Sequence, residues 1–464
     1  MAIIQRSSDK FSSHTIRKVP LGAAHPRRLH RRRHTQLVCG VSRSNAVVCL
    51  VLVTSIGWIV GILGFYFCYS RSTTFHTGFG VPVSPLKSLT REPESANVKR
   101  STKYNATHAK YESPSLIITC KRPNYLSKTL ENVLGAISNQ CGFGCPVIVS
   151  EDGQHKGIEE VVLSFKKKFE AKEIPLVHIR HQRREGLKGN PYEALAKHYG
   201  WALSQVFDGG VFPLQAQSTQ KQFLPKRVVI LEEDIKVAPD FFSYMEATSF
   251  LLDEDPTLYA VSAFNDNGHL GNGDPKRVLR SDFFPGLGWM MNRDLWKNEL
   301  KWKWPNGYWD DWLREGEQRR DRQVLRPEAS RTYHFGTKGG ASANQFGSIL
   351  ERNKLNSQVV QWDMEDLSYL ENTLYEEQYT GHVMNCQLVH SIEEAKHASQ
   401  DVRMEYEGFS QFSRLAAQLG IMEDEKAIVP RTAYRGIVEA RQDSSILFLT
   451  PKRGFSGYKK KESN

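Results

Sequence analysis

Residues 228–242 read VVILEEDIKVAPDFF, an apolar run that ends without a spacer in three consecutive acids, Glu232, Glu233 and Asp234. A short, continuous apolar run fits a strand buried on both faces, the habit of parallel sheets. Three adjacent carboxylates repel one another unless cationic charge sits among them. A hard divalent ion shared with a diphosphate would relieve that repulsion; the competing reading is an acidic strand end in solvent. Upstream, apolar runs at 116–119, 146–149 and 176–179 alternate with helical spacing at 125–138, 158–169 and 191–206. Strands alternating with helices predict an α/β fold on a largely parallel, doubly wound sheet. Ligands of such sheets bind beyond the carboxyl ends of the strands. The polar residues after each run are therefore the candidate site: Cys120-Lys121-Arg122, Ser150-Glu151-Asp152-Gly153, His181 and the three acids. Arginine suits a phosphate, and the acids suit a ribose, a base or a cation. Neither a dinucleotide-binding glycine fingerprint after the first strand nor a P-loop is present.

Two more segments carry chemistry. In KWPNGYWDDWLREGEQRRDR, residues 303–322, Asp310 and Asp311 lie between Trp309 and Trp312. Aromatic walls raise a carboxylate pKa and favour a general base, whereas a helix N-terminus with tryptophans in the core would give the same letters. FGTKGGASANQFGS, residues 335–348, lacks periodicity and reads either as a loop that closes over substrate or as ordinary surface. His178 and His181 fall on opposite faces of a strand, which argues against a metal pair.

The chain has 464 residues and a net charge of +11. Residues 1–45 contain ten Lys or Arg and a single acid, Asp9, so nine of those charges sit in one short tail. The nearly neutral remainder removes the electrostatic case for nucleic-acid binding. Residues 46–69, AVVCLVLVTSIGWIVGILGFYFCY, are long enough to cross a ~30 Å hydrocarbon core. Arginines crowd the N-terminal flank, so the tail is expected in the cytosol and the rest in a lumen or outside. A stem, 70–112, follows and holds the N-x-S/T triplet at Asn105. Of the seven cysteines, Cys120, Cys141, Cys145 and Cys386 lie beyond the span, where disulfides are expected.

These motifs, with TCKRPNYLSKTLENVL, IVSEDG, AKHYGWALSQVF, VSAFNDNGH, RSDFFPGLGWM, RPEASRTYHFGTKG and PRTAYRGIV, all in order, resemble the N-acetylglucosaminyltransferase I family over roughly residues 114–450. The resemblance implies a single-span, type II Golgi membrane enzyme of the GT-A fold. Its Rossmann-like, mostly parallel catalytic domain would span 113–337, with a mobile loop at 338–350, a smaller C-terminal domain at 351–452 and a tail at 453–464. Segments 358–370 and 409–419 read as elements of that second domain. The donor would be UDP-GlcNAc, the acceptor an oligomannose N-glycan on glycoproteins, the cofactor Mn2+. Position by position, Arg122, Asp152 and His198 would bind the uridine diphosphate, Glu232 the transferred sugar, Glu233 the nucleotide and Asp234 the manganese. Asp310 would be the base, Trp309 would stand beside the sugar, and Ser342 would join the diphosphate.

The chain departs from the family pattern in three places. Glu233 replaces an aspartate, Gly153 stands where Cys120 would find its disulfide partner, and the glycine-rich loop has one extra residue. Cys120 is therefore expected to pair with Cys141 or Cys145. A second family disulfide loses both ends, with Ala260 and Val324 in their places. An O-mannose acceptor is disfavoured because the stem has no room for an added carbohydrate-binding domain. A silent lectin of the same fold is disfavoured by Asp234 and Asp310.

Overall fold

The apolar runs form the four parallel strands β1 (Pro114–Thr119), β2 (Gly144–Asp152), β3 (Leu176–His181) and β4 (Arg227–Glu232) of a computed structural model. The structure describes residues 112–137, 142–182, 190–209, 211, 224–270, 273–336, 350–442 and 445–458. The basic tail, the apolar segment 46–69, the stem up to residue 111 with Asn105, Cys141, Ser342 and most of 214–226, a Gln-containing stretch whose sequence reads as a surface insertion before the acidic strand, lie outside them. Among the described residues no helix is long and apolar enough to cross a membrane.

The pleat sorts the core. Ile117, Val149, Val229 and Leu231 face one layer, with α1 (Pro123–Ala136), α2 (Lys156–Glu170) and α4 (Phe241–Glu254). Leu116, Ile118, Ile148, Val228 and Ile230 face the other, with α3 (Pro191–Phe207). Alternate residues of a strand point to opposite faces, so runs apolar at every position need a helix on each side. Asn190 caps α3 by accepting from the Tyr192 N–H at 3.0 Å, and Pro191 opens its first turn.

The full sheet has eight strands in the order β3-β2-β1-β4-β8-β6-β9-β7, adding β6 (Leu258–Ser262), β7 (Val278–Ser281), β8 (Trp289–Asn292) and β9 (Gln323–Pro327). Only β7 and β8 run against the common direction. Successive strands step outward from β1 to β3, and β4 then returns to the opposite side of β1. That reversal opens a crevice between the carboxyl ends of β1 and β4, where doubly wound sheets bind ligands.

A short antiparallel pair, β5 (Ile235–Val237) with β10 (Thr332–His334), sets His334 opposite Ile235 beside the acids. The C-terminal residues build a second sheet from β11 (Gln387–Leu388), β12 (Val402–Tyr406), β16 (Ile446–Pro451) and β15 (Val438–Arg441), in that order. Phe412 and Ala416 of α6 (Phe409–Leu419) pack into its core. The hairpin β13 (Glu425–Lys426) and β14 (Val429–Pro430) leads into it.

Segment 358–370 departs from expectation. Val360, Trp362, Leu367 and Leu370 pack into the core of the first sheet rather than beside the second. Their anchor is Asp240, which accepts from Arg331 Nη2 at 3.2 Å, Trp362 Nε1 at 3.0 Å and Asn356 Nδ2 at 3.1 Å. The side chains of Asp240 and Arg331 are fully buried. Asp240→Ala would strand a buried guanidinium and is expected to cost about 3–5 kcal/mol. The check is a large drop in thermal midpoint; an unchanged midpoint would contradict this role for the pair.

Candidate active site

The β4 acids and the end of β1 meet in the crevice. Glu233 accepts from Thr119 Oγ1, from the Cys120 N–H at 3.2 Å and from Arg122 Nε at 2.5 Å. Arg122 Nη2 also lies 2.7 Å from Asp234 Oδ2, and His334 Nε2 is 3.4 Å from the same oxygen. The expected repulsion between adjacent carboxylates is therefore partly relieved within the chain. Thr129 Oγ1 of α1 fixes the turn by donating to the carbonyls of Glu233 and Ile235 at 2.6 and 3.1 Å. The Phe335 N–H donates to the Asp234 carbonyl at 3.0 Å, and a β-carbon at residue 336 would overlap the Asp234 carboxylate. Glycine is required at that close approach.

The third acid faces elsewhere. Glu232 Oε1 accepts from Tyr199 Oη at 2.8 Å, and the Tyr199 ring stacks on Trp309 with centroids 4.3 Å apart. Burial and the neighbouring Asp234 push the Glu232 carboxyl up to about 7. Burial acts on Asp234 too, but His334 and Arg122 outweigh it and hold that carboxyl below its ordinary value.

Asp234 Oδ1 is buried with no hydrogen-bond partner. That is the open donor a hard cation would take, with substrate oxygens completing its shell. Among the described residues no group of three or more His, Cys, Asp or Glu side chains forms a cage for a metal on its own. The residues present thus fit a cation held jointly with a diphosphate.

A second group lies along β2, β3 and α3. His181 Nδ1 is 2.8 Å from Asp152 Oδ1, and His198 Nε2 is 2.8 Å from Ser150 Oγ. The two imidazoles stack with centroids 5.7 Å apart. Burial lowers His198 to about 4, so it is neutral at physiological pH. His178 instead meets Glu151, at 2.9 Å, on the opposite face of β3 from His181, as the strand period requires.

The third group is α5 (Trp309–Arg314). Arg314 Nη1 bridges Asp310 Oδ2 at 3.0 Å and Asp311 Oδ1 at 2.7 Å, and Lys426 Nζ reaches Asp311 Oδ2 at 3.4 Å from the β13 hairpin. Enclosure of the two acids by the tryptophans is not what forms. Both carboxylates are 39% exposed beside a guanidinium, and Arg314 and Lys426 outweigh burial to lower Asp311. Of the two, Asp310 meets Arg314 alone, whereas Asp311 meets both Arg314 and Lys426. Trp309 is buried against Tyr199 and Trp289.

The profile of the GNT-I family matches residues 83–462. The chain belongs to the GNT-I family. It is 38% identical over 339 residues to an alpha-1,3-mannosyl-glycoprotein 2-beta-N-acetylglucosaminyltransferase of Arabidopsis thaliana, covering 72% of each chain. Among solved structures it is similar to the mannosyltransferase PcManGT from Pyrobaculum calidifontis in complex with GDP-Man and Mn2+, at TM-score 0.27 and 15% identity over 40% of this chain and 46% of that one. It is also similar to glucosyl-3-phosphoglycerate synthase from Mycobacterium tuberculosis, at TM-score 0.28 and 13% identity over 53% of this chain and 82% of that one.

Against the GNT-I pattern, Arg122, Glu233 and Asp234 come together, Glu232 is joined to Trp309 through Tyr199, and Asp152 and His198 flank His181. Ser342 lies outside the described residues. Glu233, the longer replacement for aspartate, has both oxygens engaged by β1 and Arg122, so it anchors that guanidinium in the crevice. The expected pairing of Cys120 is corrected. Cys145 is disulfide-bonded, whereas Cys120 remains a thiol, its Sγ 3.6 Å from the Asp152 carbonyl next to Gly153. Sequence reasoning missed Thr119, Tyr199, His334, Arg314 and Lys426. Tyr199 directly follows His198 and was within reach of the helix pattern. His334 and Lys426 arrive through long-range pairing that leaves no local signal. A polar cavity of about 480 Å3 between Asn265, Arg326, Asn356 and Arg441 involves none of these groups.

His198 makes stability depend on pH. Its folded value of about 4 lies below the ordinary 6.5, so the unfolded chain binds the extra proton between those limits. Its contribution is fully present above pH 6.5 and is lost as pH falls toward 4. Lowering pH from 7 to 5 is expected to cost about 2 kcal/mol through this group. His198→Gln should flatten that part of the melting-temperature profile, and an unaltered profile would contradict the assignment.

Proposed function

We propose that the chain is an inverting transferase that moves N-acetylglucosamine from UDP-GlcNAc to O2 of the α-1,3-linked mannose of oligomannose N-glycans, the step that initiates hybrid and complex glycans. Family membership and the activity named for the Arabidopsis relative support reaction and acceptor. The structural observation that carries the reading is the convergence of Arg122, the β4 acids and the Asp310 helix around one crevice of a mostly parallel α/β sheet, read here as a GT-A fold.

Arg122 binds the diphosphate by charge-assisted hydrogen bonds. Asp152 and His198 contact the uridine half, and neutral His198 offers a hydrogen bond without adding charge. Glu232, oriented by Tyr199, holds the sugar, with Trp309 beside it. Asp310 removes the proton from the mannose 2-hydroxyl while that oxygen attacks the anomeric carbon from the face opposite the leaving diphosphate, so configuration inverts. Held by Asp234, a divalent cation, Mn2+ in this reading, would supply charge neutralisation to the departing UDP. No covalent intermediate is needed.

The same reading makes residues 1–45 a cytosolic tail, 46–69 a signal anchor and 70–112 a stem, with the catalytic part in the Golgi lumen. The charge asymmetry around 46–69 supports it. The test presents the full chain in detergent with UDP-GlcNAc, Mn2+ and either an oligomannose glycopeptide or an O-mannosyl peptide. Addition of one N-acetylglucosamine to the first alone is expected. Transfer to the second alone would replace the acceptor, and donor binding without transfer to either would favour a silent lectin.

A further inference from the structure

Tyr308 is an exposed aromatic residue held in the left-handed region, φ 48 and ψ 46, immediately before the helix that carries Asp310. Its side chain is 49% exposed. An L-residue with a bulky side chain adopts that backbone at a cost of about 1–2 kcal/mol, and such strain collects at functional sites. The ring does not hang free. It stacks on Tyr192 with centroids 4.5 Å apart and planes 20° from parallel, and its hydroxyl accepts from Asn190 Nδ2 at 3.2 Å. Asn190 is the cap of α3, so the first turn of α3 and the start of α5 are joined by this aromatic pair. Burial, Tyr308 and both acids of α5 raise the Tyr192 phenol, which places it in the field of Asp310 and Asp311.

The two aromatic layers divide the labour by depth. Tyr199 and Trp309 are buried, with Tyr199 donating to Glu232, whereas Tyr192 and Tyr308 sit toward solvent on the side of Asp310 and Asp311. Tyr192 precedes Tyr199 by seven residues on α3, about 10 Å along the axis. That spacing sets the exposed pair apart from the Tyr199–Glu232 contact and on the outer side of Asp310, where a neighbouring sugar of the acceptor would pass. Tyrosine presents a large apolar face with a polar rim, the surface that a pyranose with one apolar face matches.

We propose that Tyr192 and Tyr308 form the platform on which the acceptor sugar next to the reacting mannose stacks, making them specificity residues for the glycan chain. The inference rests on the transferase reading. Tyr308→Gly removes the ring and relieves the backbone strain together, so loss of fold does not confound it; Tyr192→Ala is the second variant. Both are expected to raise the KM for an oligomannose acceptor about five- to tenfold, with the donor KM held within about twofold. On a single α-mannoside, which has no neighbouring sugar, the penalty should shrink to within about twofold. Tyr308→Phe, which keeps the ring, should restore most of the oligomannose affinity. An unchanged oligomannose KM in both variants would overturn the proposal, as would equal losses on both acceptors accompanied by a lower melting temperature. Failure of the unaltered protein to transfer to either acceptor would instead overturn the transferase reading and this inference with it.

Discussion

Asp310→Asn is expected to lower kcat by about 10²–10⁴-fold, the usual contribution of a positioned general base, while donor affinity stays near that of the unaltered chain. The amide keeps the shape of the carboxylate and accepts a hydrogen bond, but it cannot take the mannose 2-hydroxyl proton. Asp310 lies outside the Arg122–Glu233–Asp234 cluster proposed for the diphosphate, so kcat and donor binding should separate. Asp311→Asn is the discriminating control. Asp311 is tied to both Arg314 and Lys426 and is held below its ordinary carboxyl value, with burial overcome by those two cations. Its substitution should disturb the placement of α5 and cost less than Asp310→Asn. Steady-state kinetics with calorimetric donor titration checks both, and a larger loss at Asp311 would move the base by one residue.

Asp234→Ala carries the second large effect. With Oδ1 buried and unpartnered, and Oδ2 shared between Arg122 and His334, Asp234 is the group suited to a hard cation beside a diphosphate. The variant is expected to lose at least about 10²-fold in kcat/KM, the scale of removing one preorganised charge-stabilising group from a transition state. UDP titrations read the same loss without catalysis. Mn2+ should strengthen UDP binding to the unaltered chain and leave binding to Asp234→Ala unmoved, and chelator should abolish the difference. UDP affinity indifferent to Mn2+ in the unaltered chain would contradict the metal assignment.

The parallel half of the sheet was legible because its signals are local. Apolar runs and helical spacing located β1 to β4 and α1 to α3, and β4 ending in acids pointed at the crevice. The boundaries moved where polar residues joined strands: β2 runs on through Ser150, Glu151 and Asp152, since the neighbouring β1 and β3 continue to pair with it. Other features depend on contacts between distant segments. The β5–β10 pair brings His334 to Asp234 across about a hundred residues, and the Asp240 anchor draws segment 358–370 into the first core. Local patterning carries neither. The ambiguity at Trp309–Trp312 was resolved by packing. Trp309 went into the core and Asp310 stayed partly exposed, so the role proposed for it as base rests on position rather than on a desolvated environment.

The most direct measurement is the nuclear magnetic resonance spectrum of the product formed from UDP-GlcNAc and an oligomannose glycan. The account predicts one new sugar, linked β to O2 of the α-1,3 arm mannose, the inverted configuration that a single in-line displacement with Asp310 as base requires. An α-linked product, or attachment at another hydroxyl, would contradict it.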